Sequence, residues 1–280
     1  MKKTHVINKL LDEGWFTDIN EARTWIMLRR VLADDRLVYS THDLVPYNGI
    51  IRIKDYYKRK YVSKGGLKLE KAIADFSLNV KDKVALDCGA STGGFTDCLL
   101  CHGAKMVYAV DAGHNQLAGK LQIDERVINY ENTNLSDEKL KSLMPQPELI
   151  TLDLSYLSLK KAIGICSGIL MPNGMIICLV KPIYEVSSSE IRRNGQINDI
   201  SLIRGVLLDL CRNFTHDGWR IIGVTNSPVR GNKDTLEFFI GLTKCKASMS
   251  LSTEQYADCI EKSLISADSL NKFNRKHIES

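Results

Sequence analysis

No stretch of this 280-residue chain approaches the roughly 18 apolar residues that a membrane-spanning helix needs, so no helical span is expected. The opening Met1-Lys-Lys-Thr-His5 is basic, but no long apolar run follows it, so no cleaved signal segment is expected either. Internal repeats and low-complexity tracts are absent, which sets aside solenoid and disordered architectures. The phosphate-cradling pattern G-x-x-x-x-G-K-[ST] is missing too. Metal-ligand clusters are scarce: Cys98 and Cys101 form a single CxxC, with neither a second pair nor nearby histidines. Leu99 and Leu100 between them read as part of a buried helix, and no metal is expected. Charge of one sign is also in short supply. Thirty-eight lysines and arginines against 33 acids leave +5, which permits a nucleic-acid partner without requiring one.

What remains is an ordinary globular composition, 44% hydrophobic and 25% charged, long enough for one large domain and a small one. Most of the eight cysteines lie in apolar runs and read as reduced core thiols of a cytoplasmic protein. Residues 1–54 form a compact basic region. Val6, Leu10 and Leu11 repeat at helical spacing until Gly14, and Asp18 can cap a second helix through Ala22, Trp25 and Ile26 that ends at Arg29-Arg30. Strand-like pieces follow near Arg36–Tyr39 and Ile50–Ile53, and residues 55–61 are a basic, aromatic linker.

Residues 62–245 alternate strand and helix patterns. Apolar runs begin at Val84, Met106, Val127, Leu149, Met175, Trp219 and Leu236, and helical patterns such as Asp199–Phe214 separate most of them. This alternation predicts an α/β fold: a Rossmann-like seven-stranded sheet flanked by helices. Only the short segment Asn226–Asp234 joins the last two runs, so the last strand is expected to be antiparallel. Residues 246–280 read as a polar tail with one helix, because Ser252 and Gln255 suit a capping box.

The strongest local signal is Asp87-Cys-Gly89-Ala90-Ser91-Thr92-Gly93-Gly94-Phe95, which follows a strand and opens a helix. Asp111 ends the next strand, where an acid can hold the ribose of a nucleotide-like cofactor. A dinucleotide enzyme is the natural rival, but Ser91 stands where G-x-G-x-x-G needs its middle glycine. Asp87 also suits a cationic ligand better than a diphosphate. S-adenosylmethionine, with an ammonium, a sulfonium and no phosphate, fits these residues together with Asn132 and Asp153.

Parallel sheets place ligands at the carboxyl ends of their strands. Asp153 and Lys181 end two strand runs there. Glu237 opens the antiparallel strand at the same edge, and Lys68 precedes the first strand on a short helix. A lysine beside a weak nucleophile such as a ribose hydroxyl can take its proton or position its oxygen.

At these residues the chain resembles the TlyA (haemolysin A) family, which joins an RNA-binding module of the ribosomal-protein-S-four type to an FtsJ-like methyltransferase domain. The resemblance spans about residues 1–245. It rests on Tyr61-Val-Ser-Lys-Gly-Gly-Leu-Lys-Leu, on Leu86 through Leu100, and on Tyr108-Ala-Val-Asp-Ala-Gly. Leu152-Asp-Leu-Ser-Tyr-Leu-Ser-Leu, Leu179-Val-Lys-Pro, and Ser227-Pro-Val-Arg-Gly with Glu237-Phe-Phe carry it further. The family's Lys-Asp-Lys-Glu tetrad falls on Lys68, Asp153, Lys181 and Glu237. The resemblance implies S-adenosylmethionine-dependent 2′-O-methylation of ribosomal RNA, with cytidine as the associated nucleoside. The chain departs from the family where Arg29 replaces a helix-ending glycine, where Asp34-Asp35 replaces Asn-Gly, and where Ile183-Tyr-Glu-Val-Ser-Ser-Ser follows Lys181-Pro182.

Ribosomal RNA or a ribosomal subunit is therefore the expected partner. Arg23, Arg29, Arg30, Lys58, Arg59 and Lys60 can contact phosphates, and Tyr56 and Tyr57 can stack. Two other classes compete. One is an inactive RNA-binding or ribosome-assembly factor that keeps the fold. The other is a membrane-lytic protein, for which no large amphipathic cationic helix is present.

Overall fold

The computed structural model describes residues 3–16, 18–53, 60–155, 157–186, 197, 199–231, 234–246 and 250–276. The chain divides into two compact units, Met1–Lys60 and Tyr61–Ser280.

In the first unit, β1 (Lys3–His5) leads into α1 (Val6–Asp12) and α2 (Ile19–Met27). Four short strands follow: β2 (Val31–Ala33), β3 (Arg36–Leu37), β4 (Leu44–Pro46) and β5 (Ile51–Ile53). β1 pairs antiparallel with β4, while β2 lies between β3 and β5. The Asp18 carboxylate accepts from the Asn20 amide at 3.0 Å, the N-cap expected from the sequence. Val6, Leu10, Ala22, Ile26, Val31, Val45 and Ile51 fill a small core. The positions at which this unit departs from the family pattern keep a left-handed backbone. Arg29 has φ 57°, and Asp34 and Asp35, which turn β2 into β3, have φ 49° and 60°. Side-chain bonds offset that strain at the turn. Asp34 accepts from the Ile50 amide at 2.8 Å, and Asp35 pairs with Arg52 at 2.9 Å.

The second unit opens with α3 (Lys64–Asp75), then runs β6 (Val84–Cys88), α4 (Gly94–Cys101), β7 (Met106–Val110), α5 (Gly119–Gln122) and β8 (Val127–Tyr130). After a 3-10 turn at Glu138–Ser142 come β9 (Leu149–Leu152), α6 (Leu159–Cys166), β10 (Met175–Val180) and α7 (Pro182–Glu185). The unit closes with α8 (Ile200–His216), β11 (Arg220–Asn226), β12 (Phe238–Thr243) and α9 (Thr253–Lys276). The seven strands order as β11-β12-β10-β9-β6-β7-β8. Within this sheet β12 alone runs opposite to the other six strands, paired with β10 on one side and β11 on the other. The expected α/β class, with seven strands and the last one reversed, is thus borne out.

Strand alternation feeds two cores. Leu86, Ile150, Leu152, Ile176, Cys178 and Phe238 face one layer with α6, α8 and α9. Ala85, Leu149, Ile177, Leu179 and Phe239 face the other with α3 and α4. The segment read as a polar tail carries a 24-residue helix, α9, whose Tyr256, Ile260, Leu264 and Ala267 are buried in the first core. The capping box is present: the Ser252 amide donates to Gln255 Oε1 at 2.8 Å, and the Gln255 amide donates to Ser252 Oγ at 3.3 Å. None of the eight cysteines, all among the described residues, forms a disulfide. In the Cys98/Cys101 pair only Cys98 is buried, and Cys101 is exposed.

Candidate active site

Strand order reverses between β6 and β9, because the chain moves from β6 outward through β7 and β8, then returns to β9 on the other side. Ligands bind at the carboxyl ends of strands at such a switch point. A cavity of about 330 Å³ opens there, lined by Cys88, Gly89, Ser91, Val110, Asp111, Ala112, Thr133, Leu135, Asp153, Ser155 and Lys181. Gly89 has φ 84°, and a Cβ on it would lie 2.3 Å from the Asp153 carbonyl oxygen. Only glycine lets the loop after β6 pass this close to the chain leaving β9.

Sheet register brings three of the four expected tetrad positions to one edge, and α3 supplies the fourth. Val180 on β10 pairs with Phe238 on β12, so the next residue on β10's chain, Lys181, and the preceding one on β12's, Glu237, meet beyond the last rung. Leu152 pairs with Cys178, which sets Asp153 beside them. Lys181 Nζ lies 2.5 Å from Asp153 Oδ1, and Lys68 Nζ, reaching from α3, lies 2.5 Å from Glu237 Oε2. Ser63 starts α3 by accepting from the Gly65 amide at 3.3 Å, which fixes the turn that carries Lys68. A Cβ on Gly231 would sit 2.1 Å from Glu237 Oε1, so the loop before β12 lies against that carboxylate. Burial pushes the Glu237 carboxyl above its ordinary range, while the Lys68 ammonium and, more weakly, Lys181 pull it back down. Asp153 adds a push upward, and the four charges act as one electrostatic group.

The cofactor residues expected from the sequence separate into two groups. Gly89, Ser91, Asp111 and Asp153 line the cavity. Asp111 ties the loops together: its carboxylate accepts from the Ser91 amide at 2.8 Å and the Gly113 amide at 2.6 Å. Asn132, next to the lining residue Thr133, has φ 49° and donates from its backbone to the Gly113 carbonyl at 3.0 Å.

The others do not face the cavity. Asp87, expected opposite a cationic ligand, is fully buried on the α4 face of β6 and accepts from Thr96 at 2.7 Å and Thr151 at 3.0 Å. Burial raises its pKa to about 6 against the pull of the two hydroxyls, with the Asp153 charge adding a smaller push upward. Ala90 is a core residue, and Phe95 packs on Phe239 with ring centroids 6.0 Å apart. Gly93 packs under Leu121 and Leu117, and Gly94 against Ser63. Thr92 uses its carbonyl to accept from Ala118 at 3.2 Å.

Sequence reasoning missed Ser155, which lines the cavity and accepts from Lys181 Nζ at 2.9 Å. Its position two residues after Asp153 was the available signal. In the first unit Arg23, Arg29 and Arg30 are exposed, as is Lys60, and the Arg29 guanidinium lies 4.4 Å from the centre of the Tyr39 ring. Lys58, Arg59, Tyr56 and Tyr57 lie outside the described residues. Among the described residues no helix is long and apolar enough to cross a membrane.

Residues 61–244 match the model of the FtsJ-like methyltransferase family. Over 180 residues the chain is 40% identical to Hemolysin A of Brachyspira hyodysenteriae, covering 64% of this chain and 75% of that one. It is 33% identical over 207 residues to the 16S/23S rRNA (cytidine-2′-O)-methyltransferase TlyA of Mycobacterium tuberculosis, covering 74% and 77% of the two chains. A solved structure named as a hemolysin from Streptococcus thermophilus superposes with a TM-score of 0.73 at 31% identity, covering 99% of both chains. The chain belongs to the FtsJ-like methyltransferases, in the group that holds the TlyA and haemolysin A proteins, and is a methyltransferase enzyme.

Proposed function

We propose that this chain transfers a methyl group from S-adenosylmethionine to a ribose 2′-hydroxyl of ribosomal RNA, with a cytidine as the target nucleoside. One observation carries the reading: the Lys181–Asp153 pair lines an acid-lined cavity, and the Lys68–Glu237 pair lies near enough for Glu237 to feel the charges of both. The choice of cytidine and ribosomal RNA rests on the activity named for the Mycobacterium relative. The cavity suits the cofactor. Asp111 and Asp153 offer carboxylates to a ligand bearing an ammonium and a sulfonium, and Val110, Ala112 and Leu135 offer an apolar wall. Gly89, Ser91, Asp111, Asn132 and Asp153 would hold it. When bound, it supplies a methyl group on an electrophilic sulfonium.

The protein's own groups handle the hydroxyl. A ribose 2′-hydroxyl is a weak nucleophile and must be aligned and relieved of its proton. Lys181, at the cavity wall, takes that proton or holds the oxygen as charge develops on it. Asp153 orients Lys181, and Glu237 orients Lys68. The exposed Arg23, Arg29, Arg30 and Lys60 would contact phosphates.

The test incubates the full chain and labelled S-adenosylmethionine with unmodified ribosomal subunits and maps ribose methylation. The expected result is label on the 2′-oxygen of one or a few cytidines. In Lys181→Met, which keeps the apolar stem, the rate should fall by at least about 100-fold while cofactor affinity changes little. Label that never reaches ribosomal RNA would overturn the substrate, and wild-type transfer by Lys181→Met would overturn the site.

A further inference from the structure

Ser155 lies on the chain leaving β9, in line with Lys181 on the neighbouring strand, since the parallel register continues from Leu152 and Cys178. Its hydroxyl accepts from Lys181 Nζ at 2.9 Å. Lys181 also forms an ion pair with Asp153 Oδ1 at 2.5 Å. Among the described residues, Ser155 is the uncharged hydrogen-bond partner of the amine. An ammonium carries three N–H groups at tetrahedral angles. A directed contact with Ser155, added to the charge contact with Asp153, fixes rotation about the Cε–Nζ bond and aims what remains of the amine.

We infer that Ser155 is a positioning residue for methyl transfer, one that orients the Lys181 amine toward the target hydroxyl in both of its protonation states. The inference rests on the role proposed for Lys181. A carboxylate only accepts hydrogen bonds and favours the charged lysine. A hydroxyl both donates and accepts, and carries no charge. Ser155 accepts from the ammonium. Once Lys181 is neutral, the same hydroxyl can turn and donate to the nitrogen, or go on accepting from one N–H. The amine thus stays aimed while the proton leaves the ribose oxygen for Nζ and the amine becomes an ammonium.

The experiment compares wild type, Ser155→Ala, Ser155→Thr and Lys181→Met as full chains. Single-turnover transfer to unmodified ribosomal subunits should fall about 10- to 100-fold in Ser155→Ala, the scale of one hydrogen bond to a charged group. Ser155→Thr, which keeps the hydroxyl, should recover most of that loss. Ser155 lines the cofactor cavity, so S-adenosylmethionine affinity is measured by calorimetry for each variant and transfer is compared at saturating cofactor. A second readout does not depend on turnover: 13C-labelled lysine side chains are titrated by NMR in the protein alone, with Lys181 identified by the signal that Lys181→Met lacks. The hydrogen bond to the ammonium is stronger than the one to the neutral amine, so losing it disfavours the charged form, and the Lys181 titration should move to lower pH in Ser155→Ala and stay near wild type in Ser155→Thr. The inference is overturned if Lys181→Met loses transfer while Ser155→Ala matches wild type in rate and titration. It is overturned equally if Ser155→Thr is as slow as Ser155→Ala. If Lys181→Met transfers at the wild-type rate, the role of Lys181 itself falls and this inference goes with it.

Discussion

Asp111 uses both carboxylate oxygens to hold backbone amides, Ser91 on one loop and Gly113 on the other, and it lines the cavity as well. Asp111→Ala should therefore lower S-adenosylmethionine affinity by on the order of 1–3 kcal/mol, the range for hydrogen bonds to a charged group. Calorimetry showing an unchanged affinity would remove Asp111 from the site. Asp87 behaves differently because it is buried. Its folded-state pKa of about 6 lies above its ordinary 3.8, so the folded protein binds the proton more tightly than the unfolded chain does. The stability it contributes is full below about pH 4 and is lost as pH rises through about 6. Asp87→Asn removes this titration and keeps a polar partner for Thr96 and Thr151. Between pH 4 and 7 the stability difference between wild type and Asp87→Asn should change by on the order of 3 kcal/mol, about two pH units at 1.36 kcal/mol each. Urea melts across that range measure it, and a pH-independent difference would refute the assignment to burial.

Among the elements, α9 shows how a helix of polar composition becomes part of a core. Tyr256, Ile260, Leu264 and Ala267 recur at spacings of four and three and bury one stripe, while Ile265 on the same helix is 72% exposed. Ile260→Ala should cost about 2–5 kcal/mol, the usual range for emptying a buried aliphatic site. Ile265→Ala should change stability by less than about 0.5 kcal/mol. Denaturant melts compare the two, and equal effects would show that α9 does not pack as described. The strand elements of the sheet are legible for a simple reason. Seven apolar runs alternate with helical patterns, and a segment too short for a crossover joins the last two, which forces β12 to reverse. In the first unit only β3 and β5 are legible along the chain. All five strands there are two or three residues long, too short for a pattern of their own, and β3 and β5 stand out because Val38 and Tyr39 follow the one and Ile50 precedes the other.

For the whole molecule, the compact unit from Tyr61 onward contains the cavity and all four tetrad residues, while the exposed Arg23, Arg29, Arg30 and Lys60 lie in the first unit. A chain beginning at Tyr61 should bind S-adenosylmethionine with wild-type affinity. It should bind ribosomal RNA more weakly and with a shallower dependence on salt, because every phosphate left unneutralised keeps its counterion and lowers the slope by about one. Filter binding at several salt concentrations checks this, and equal slopes would show that the first unit does not dock RNA.

Sequence alone determined the order of strands and helices along the chain, the reversal of the last strand, the caps at Asp18 and Ser252, and the edge at which Asp153, Lys181 and Glu237 gather. Periodicity, caps and connection lengths are local properties, and a local property can be read along a chain. Tertiary structure decided which members of the glycine loop face a ligand. Asp87 and Ser91 stand four residues apart in one motif, yet the pleat of β6 turns Asp87 inward onto Thr96 and Thr151, while Ser91 reaches the cavity. It also decided that Ser155 would meet Lys181. The two are 26 residues apart, and only the register of β9 on β10 brings them to 2.9 Å. Such contacts depend on how strands pair and which way each side chain points, and a side chain's direction is settled by the packing around it.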